Sequence, residues 1–164
     1  MADSPKLTDL KSLVEFASAQ AEKIFRKTGE LVPMYHAINA DGQHRVMLPP
    51  GFSKDLDVAL MKAAFVLENI DRFVFICEAW IVDARQSGVP PLDLENYREG
   101  SLSENPDRRE VVMFAAENRR GELMLGQRYI LRPEHGKPSL APLRIDSGFD
   151  ESAGRMVGML PREK

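Results

Sequence analysis

The chain has 164 residues, which is enough for one ordinary domain with a core of its own. Apolar residues make up 43% and charged residues 29%, a globular rather than a disordered composition. The formal net charge of −3 argues against a general nucleic-acid binder, which would carry a basic stripe or arm. Cys77 is the single cysteine, so the sequence excludes an intrachain disulfide framework and a cysteine-rich zinc site.

The sequence also bears on location. No stretch approaches the roughly 18 consecutive apolar residues of a membrane span. The first residues, Met1 to Lys6, lack a charged start followed by an apolar stretch, so they do not resemble a signal peptide. We therefore expect a cytoplasmic protein with no membrane partner.

The first predicted element is an amphipathic helix. Ser4 and Pro5 suit its start, and Gly29 suits its end. Its apolar residues recur at helical spacing and are expected to face the core: Leu10, Leu13, Val14, Ala17, Ala21, Ile24 and Phe25.

Residues 32–38 and 43–48 predict a β-hairpin that carries His36 and His44 on its two arms. A two-residue turn at Asp41-Gly42 would place the two imidazoles on opposite faces of the sheet. A three-residue loop over 39–41 would instead set them opposite each other, and only that register could form a metal-binding pair. Isolated histidines are the more usual finding, so we predict no metal and no cofactor.

A second helix is predicted from the N-cap Ser53 to about Glu68. Asp55 and Asp57 lie in its first turn, where negative charge is favoured. Its apolar stripe consists of Leu56, Ala59, Leu60, Ala63, Val66 and Leu67.

Arg72 to Asp83 is the strongest strand in the chain. Its two faces are both apolar, which predicts a central strand that is covered on both sides. Phe73, Phe75, Cys77, Ala79 and Ile81 lie on one face, and Val74, Ile76, Trp80 and Val82 lie on the other.

Glu78 interrupts the second of these faces, and a buried carboxylate is costly unless it is paired. One interpretation is a salt bridge to Arg128 or Arg109 on the neighbouring hairpin. Another is a metal ligand or a general base with a raised pKa. In a third, the strand register lets Glu78 reach solvent.

Residues 84–108 contain several turn and breaker signals and predict a long loop. Glu110–Glu117 and Glu122–Arg132 predict a second hairpin around residues 118–121, and the proline-rich remainder predicts an irregular C-terminal arm. Arg119 and Arg120 lie at the hairpin tip. Guanidinium forks suit phosphate or carboxylate recognition, but the many acidic residues nearby favour a mixed, solvated surface.

The order helix, hairpin, helix, strand, hairpin predicts an α+β fold. We expect a five-stranded, mostly antiparallel sheet with both helices on one face. The order resembles that of roadblock-like and profilin-like domains, a likeness of fold that carries no function. The whole chain, 1–164, is expected to form a single domain, with a core over 1–132 and the arm over 133–164.

Two helices on one face would leave the other face of the sheet to be covered by something else. The candidates are the C-terminal arm and a second copy of the chain. In a homodimer, Trp80 would be an aromatic anchor in an interface with Val74, Ile76 and Val82.

Four segments together carry a resemblance. They are Gly29-Glu30-Leu31-Val32-Pro33-Met34-Tyr35, the turn Asp41-Gly42, Phe75-Ile76-Cys77-Glu78-Ala79-Trp80, and Pro106-Asp107-Arg108-Arg109-Glu110-Val111-Val112. This pattern, over about residues 29–132, resembles small uncharacterised bacterial and phage proteins. The resemblance implies no activity and supplies no catalytic residues.

Two functions remain open from the sequence. No phosphate-binding loop, dinucleotide motif, zinc-protease motif or serine-hydrolase motif is present. This absence favours a non-catalytic interaction or scaffold protein, either as a homodimer or with another protein partner. The cost of burying Glu78 favours the alternative, a small metal-dependent hydrolase with Glu78 and His36 at its site.

Overall fold

The computed structural model describes residues 7–81, 106–146 and 158–162. In these ranges the protein is α+β, with two helices and seven strands. The elements are α1 (Leu10–Thr28), β1 (Met34–Asn39), β2 (His44–Met47), α2 (Lys54–Leu67), β3 (Ile70–Ile81), β4 (Arg109–Asn118), β5 (Leu123–Leu131), β6 (Ser139–Leu140) and β7 (Arg144–Asp146). The predicted long loop over 84–108 lies almost entirely outside the described residues.

The strands form one antiparallel sheet in the order β2-β1-β3-β4-β5-β6. The strand β7 pairs with β5 as well, farther along the same edge as β6. The prediction of five strands therefore misses two short strands. Both lie in the arm, which is not irregular there because its backbone completes the hydrogen bonding of the β5 edge.

Helix α1 begins and ends on local signals. Asp9 is its N-cap and forms a capping box with Ser12, whereas the predicted start at Ser4 lies outside the described residues. Gly29 ends the helix in the left-handed conformation at φ 77° and donates its N–H to the carbonyl of Phe25. The predicted end of α1 is thus confirmed, because glycine adopts this conformation without strain.

The face of the sheet that α1 covers, the α1 face, holds the larger core cluster. It joins the apolar stripe of α1 to alternate residues of β1, β3 and β4, among them Met34, Ile38, Val74, Ile76, Val112 and Phe114. Gly126 on β5 lets the helix come close, since a Cβ there would lie 3.3 Å from a methyl group of Val14. The predicted role of the α1 stripe as core is correct.

Helix α2 lies on the opposite face, the α2 face, so the expectation of both helices on one face is wrong. Met61 and Phe65 of α2 pack with a second cluster that includes Tyr35, Ala37 and Phe73. The physical reason is the doubly apolar β3, because each of its faces needs a cover and each receives one helix. Met159 and Leu160 from the arm add to this second cluster.

Among the described residues, no helix combines the length and the apolar character needed to cross a membrane.

Candidate functional site

Glu78 is half-buried, and its partner is a backbone group. A carboxylate oxygen accepts the N–H of Leu31 at 2.6 Å, just after the chain has left α1. A hydrogen bond to a charged acceptor offsets much of the cost of its burial. Glu78 therefore fixes the path of the chain between α1 and β1.

The predicted salt bridge between Glu78 and Arg128 is not formed. Both residues lie on the α1 face, but Val112 on β4 separates them across the sheet. Arg128 is buried and reaches the helix instead, where its guanidinium binds Glu22 at 2.9 Å and Ser18. The salt bridge with Arg128 holds the pKa of the Glu22 carboxyl below its usual range.

Arg109 does not meet Glu78 either. Strand alternation places its side chain on the α2 face, with its guanidinium 5.6 Å from the centre of the Tyr129 ring. Glu78 therefore pairs with neither predicted arginine, because Arg128 binds Glu22 on α1 and Arg109 lies on the other face of the sheet.

The two histidines of the first hairpin contact each other on the α1 face. The register of the hairpin differs from both of the registers predicted from the sequence. The loop has three residues, 40–42, and Gly42 is left-handed at φ 77°. Ile38 pairs with His44 and His36 pairs with Val46, so the two imidazoles are diagonal neighbours on one face. A loop of this length ending in a left-handed glycine is a common hairpin turn.

The two imidazoles form a compact pair. Nδ1 of His36 and Nε2 of His44 lie 2.9 Å apart, and the rings stack at an interplanar angle of 9°. Phe16 on α1 makes an edge-to-face contact with each of the two imidazole rings. Because one nitrogen must donate and the other accept, the pair is hydrogen-bonded when both rings are neutral.

Burial disfavours the charged form of this pair. His36 is only 4% exposed, and its Nε2 is buried without a hydrogen-bond partner among the described residues. Burial and the neighbouring His44 lower the pKa of His36 to about 4, and burial lowers the pKa of His44 as well. Both rings are therefore neutral at pH 7.

The structure does not bring Glu78 and His36 together. His36 pairs with Val74, and Glu78 lies four residues farther along β3, about 13 Å away. In the described part of the chain, no group of three or more His, Cys, Asp or Glu residues could hold a metal ion. Burial raises the pKa of the Cys77 thiol to about 11, so the nucleophilic thiolate is scarce at neutral pH.

The interface predicted on β3 is mostly interior. Val74 and Ile76 have no exposed surface because α1 covers them, so they cannot contact a second copy of the chain. Trp80 is 43% exposed and carries the guanidinium of Arg108 over its ring at 5.4 Å. Val82 lies outside the described residues.

An exposed apolar surface lies instead on α2. The helix contacts the sheet through Met61 and Phe65, which leaves the stripe predicted from the sequence turned to solvent. We call this stripe, with the exposed Phe52 that precedes the helix, the α2 stripe: Phe52, Leu56, Ala59, Leu60, Ala63, Val66 and Leu67. Leu67 is 85% exposed and Phe52 is 72% exposed.

Single exposed apolar residues are normal on a protein surface, but a continuous helix stripe is typical of an interaction site. Helical spacing in the sequence identifies these residues but does not show which way they face. Comparison with family models, with curated proteins and with solved structures gives no match for this chain.

Proposed function

We propose that the protein is a non-catalytic interaction protein that forms a homodimer through the α2 stripe. The observation that carries the proposal is the exposure of the α2 stripe in the single chain. Burying that stripe against a second copy removes apolar surface from water, the main favourable term in association. The interface therefore lies on α2 and not on β3.

The stripe suits a twofold, antiparallel contact between two copies of α2. Ala59 and Ala63 lie one turn apart near its centre, and small residues there let two helix axes approach to about 8 Å. The larger residues Leu56, Leu60 and Leu67 interlock around them. A twofold axis uses the same surface on both copies, so no second kind of surface is needed.

The charges beside the stripe are self-complementary. Asp55 and Lys62 are seven residues apart, which places them on the same flank of the helix. The midpoint between them falls at Val58 and Ala59, close to the centre of the α2 stripe. In an antiparallel pair, Asp55 of each copy therefore lies beside the partner's Lys62, and the two contacts form together.

The size of the surface sets the expected affinity. Helix α2 is about 21 Å long and about 10 Å wide. That footprint is less than the roughly 800 Å² per partner of a standard stable interface. We therefore expect a reversible dimer with a Kd on the order of micromolar.

The test is sedimentation equilibrium across the micromolar range. Leu60→Glu should make the protein monomeric because it places a charge in the apolar contact. The matched control is Leu131→Glu, which changes a similarly exposed leucine at the end of β5 and should leave the dimer intact. A wild-type protein that stays monomeric throughout this range would refute the proposal.

A charge exchange tests the antiparallel arrangement. Asp55→Lys alone or Lys62→Asp alone should weaken the dimer, since each places like charges side by side. The double variant should restore much of the affinity. Equal weakening in the double variant would show that the two residues do not face each other.

Two broader expectations belong with this proposal. We place the protein in the cytoplasm, where its thiol would stay reduced. We also propose that the order of elements along the chain makes the fold similar to roadblock-like and profilin-like domains, a likeness that concerns the fold alone.

A further inference from the structure

A polar cavity lies at the end of the sheet where α1 begins. It has a volume of about 280 Å³. Three parts of the chain form it: the residues before α1, the start of β3 and the turn between β4 and β5. Three guanidinium groups line it, from Arg72, Arg119 and Arg120.

Arg119 is held rigidly at this cavity. Its Nε donates to the carbonyl of Ile70 at 2.8 Å, and one terminal nitrogen donates to Oδ1 of Asn69 at 2.6 Å. Both acceptors are neutral, so neither compensates the charge of the guanidinium. The remaining N–H groups of its fork are available to a ligand.

The two carboxylates at the cavity already have partners. Asp71 forms an ion pair with Arg72, and that guanidinium also donates to the carbonyl of Leu7. Asp9 caps α1 by accepting the N–H of Ser12 at 2.7 Å, which lowers the pKa of its carboxyl. Arg72 compensates Asp71, whereas Asp9 keeps its negative charge because its partner is a neutral N–H. The three guanidinium groups and two carboxylates therefore leave the lining of the cavity with one net positive charge.

Further positive charge lies on and beside the turn between β4 and β5. Arg120 pairs with Glu122 at 3.3 Å, but both side chains are mostly exposed, and such surface pairs contribute little. Arg162, from the end of the chain, lies against Gly121, where its guanidinium carbon would be 3.2 Å from a Cβ.

We propose that this cavity binds a phosphate group, with Arg119 as its principal ligand and Arg120 as a second. Guanidinium forks match the oxygens of phosphate and form charge-assisted hydrogen bonds with them. A phosphate carries more charge and more acceptor oxygens than a carboxylate, so it uses more of the free donors at the cavity. The group comes either as inorganic phosphate or as the phosphate of a small ester.

The experiment is an NMR titration that follows the Nε–Hε signals of the arginines, with ionic strength held constant by chloride. Inorganic phosphate should shift the Arg119 signal saturably, and acetate should not. Glycerol 3-phosphate is the second probe. Tighter binding of the ester would assign a phosphorylated metabolite, and equal binding would assign the phosphate group alone.

Variants separate this site from general attraction to a positive surface. Arg119→Lys keeps the charge but loses the fork, and should weaken phosphate binding by about tenfold. The control Arg26→Lys alters an exposed arginine near the other end of α1 and should bind as the wild type does. If Arg119→Lys does not fold, the exposed Arg120→Gln should still weaken binding severalfold.

Three results would overturn the proposal: no saturable shift at Arg119, equal shifts with acetate, or unchanged affinity in a folded Arg119→Lys protein. None of these measurements depends on dimer formation. The same titration on the Leu60→Glu variant would therefore give the same answer if the proposed homodimer failed.

Discussion

Acid should destabilise the protein through the buried histidine pair. His36 has a pKa of about 4 in the folded protein, below the ordinary value of 6.5 that applies in the unfolded chain. Below pH 6.5 the unfolded state binds a proton at His36 that the folded state does not. Stability is therefore fully present above pH 6.5 and is lost as the pH falls toward 4.

The two pKa values set the size of this loss. Between pH 7 and pH 5, His36 alone should lower the free energy of unfolding by about 2 kcal/mol. The lowered pKa of His44 acts in the same direction. Carboxyl groups such as Glu22, whose ordinary pKa is 4.5, change the free energy of unfolding mainly at lower pH. The change in stability between pH 7 and pH 5 therefore comes mainly from the histidines.

Urea unfolding at pH 7, 6 and 5 would measure the effect. His36→Leu removes the titrating group and keeps an apolar side chain beside Phe16, so its stability should vary about 2 kcal/mol less over this range. His135→Gln alters an exposed histidine and should keep the wild-type dependence. If His36→Leu and the wild type depend on pH equally, His36 has the same pKa in the folded and unfolded states, and the buried neutral pair is wrong.

Three further substitutions test particular contacts by denaturant melts. Arg128→Ala should cost about 3 kcal/mol because it removes a buried guanidinium that binds Ser18 and the partly buried Glu22, whereas Arg26→Ala should cost less than about 0.5 kcal/mol. Glu78→Ala should cost about 1–2 kcal/mol by leaving the N–H of Leu31 without an acceptor, and Glu78→Gln should cost less because the amide oxygen still accepts. Gly29→Ala should cost about 1 kcal/mol through its left-handed conformation. Equal stability of the two arginine variants, or of Glu78→Ala and wild type, would contradict these contacts.

Local signals in the sequence were enough to predict most of the helices, strands and turns. Gly29 marks the end of α1, and Asn118 to Gly121 mark the turn between β4 and β5, because such residues act through their own backbone conformation. The doubly apolar pattern of β3 correctly predicted a strand inside the sheet with cover on both faces. These features need no knowledge of distant residues.

The remaining features depend on contacts between distant residues. Periodicity found the stripe of Leu56 and Leu60 but could not show that α2 turns Met61 and Phe65 to the sheet instead. An apolar stripe looks the same whether it packs on its own sheet or on another molecule.

The candidate polar sites also depend on contacts between residues that are distant in the sequence. The partner of Arg128 is Glu22, which is 106 residues away along the chain. Whether His36 and His44 contact each other depends on whether the hairpin loop has two or three residues. A difference of one residue moves a side chain to the other face of the sheet.

The position of α1 has a consequence for biosynthesis. The helix is made before β3, β4 and β5, on which its buried side packs, and Ser18 binds an arginine 110 residues later in the chain. At roughly 5–20 residues per second, translation would leave that apolar side without its partner strands for on the order of ten seconds. A nascent chain that has left the ribosome only as far as α2 would therefore expose the apolar sides of both helices to water.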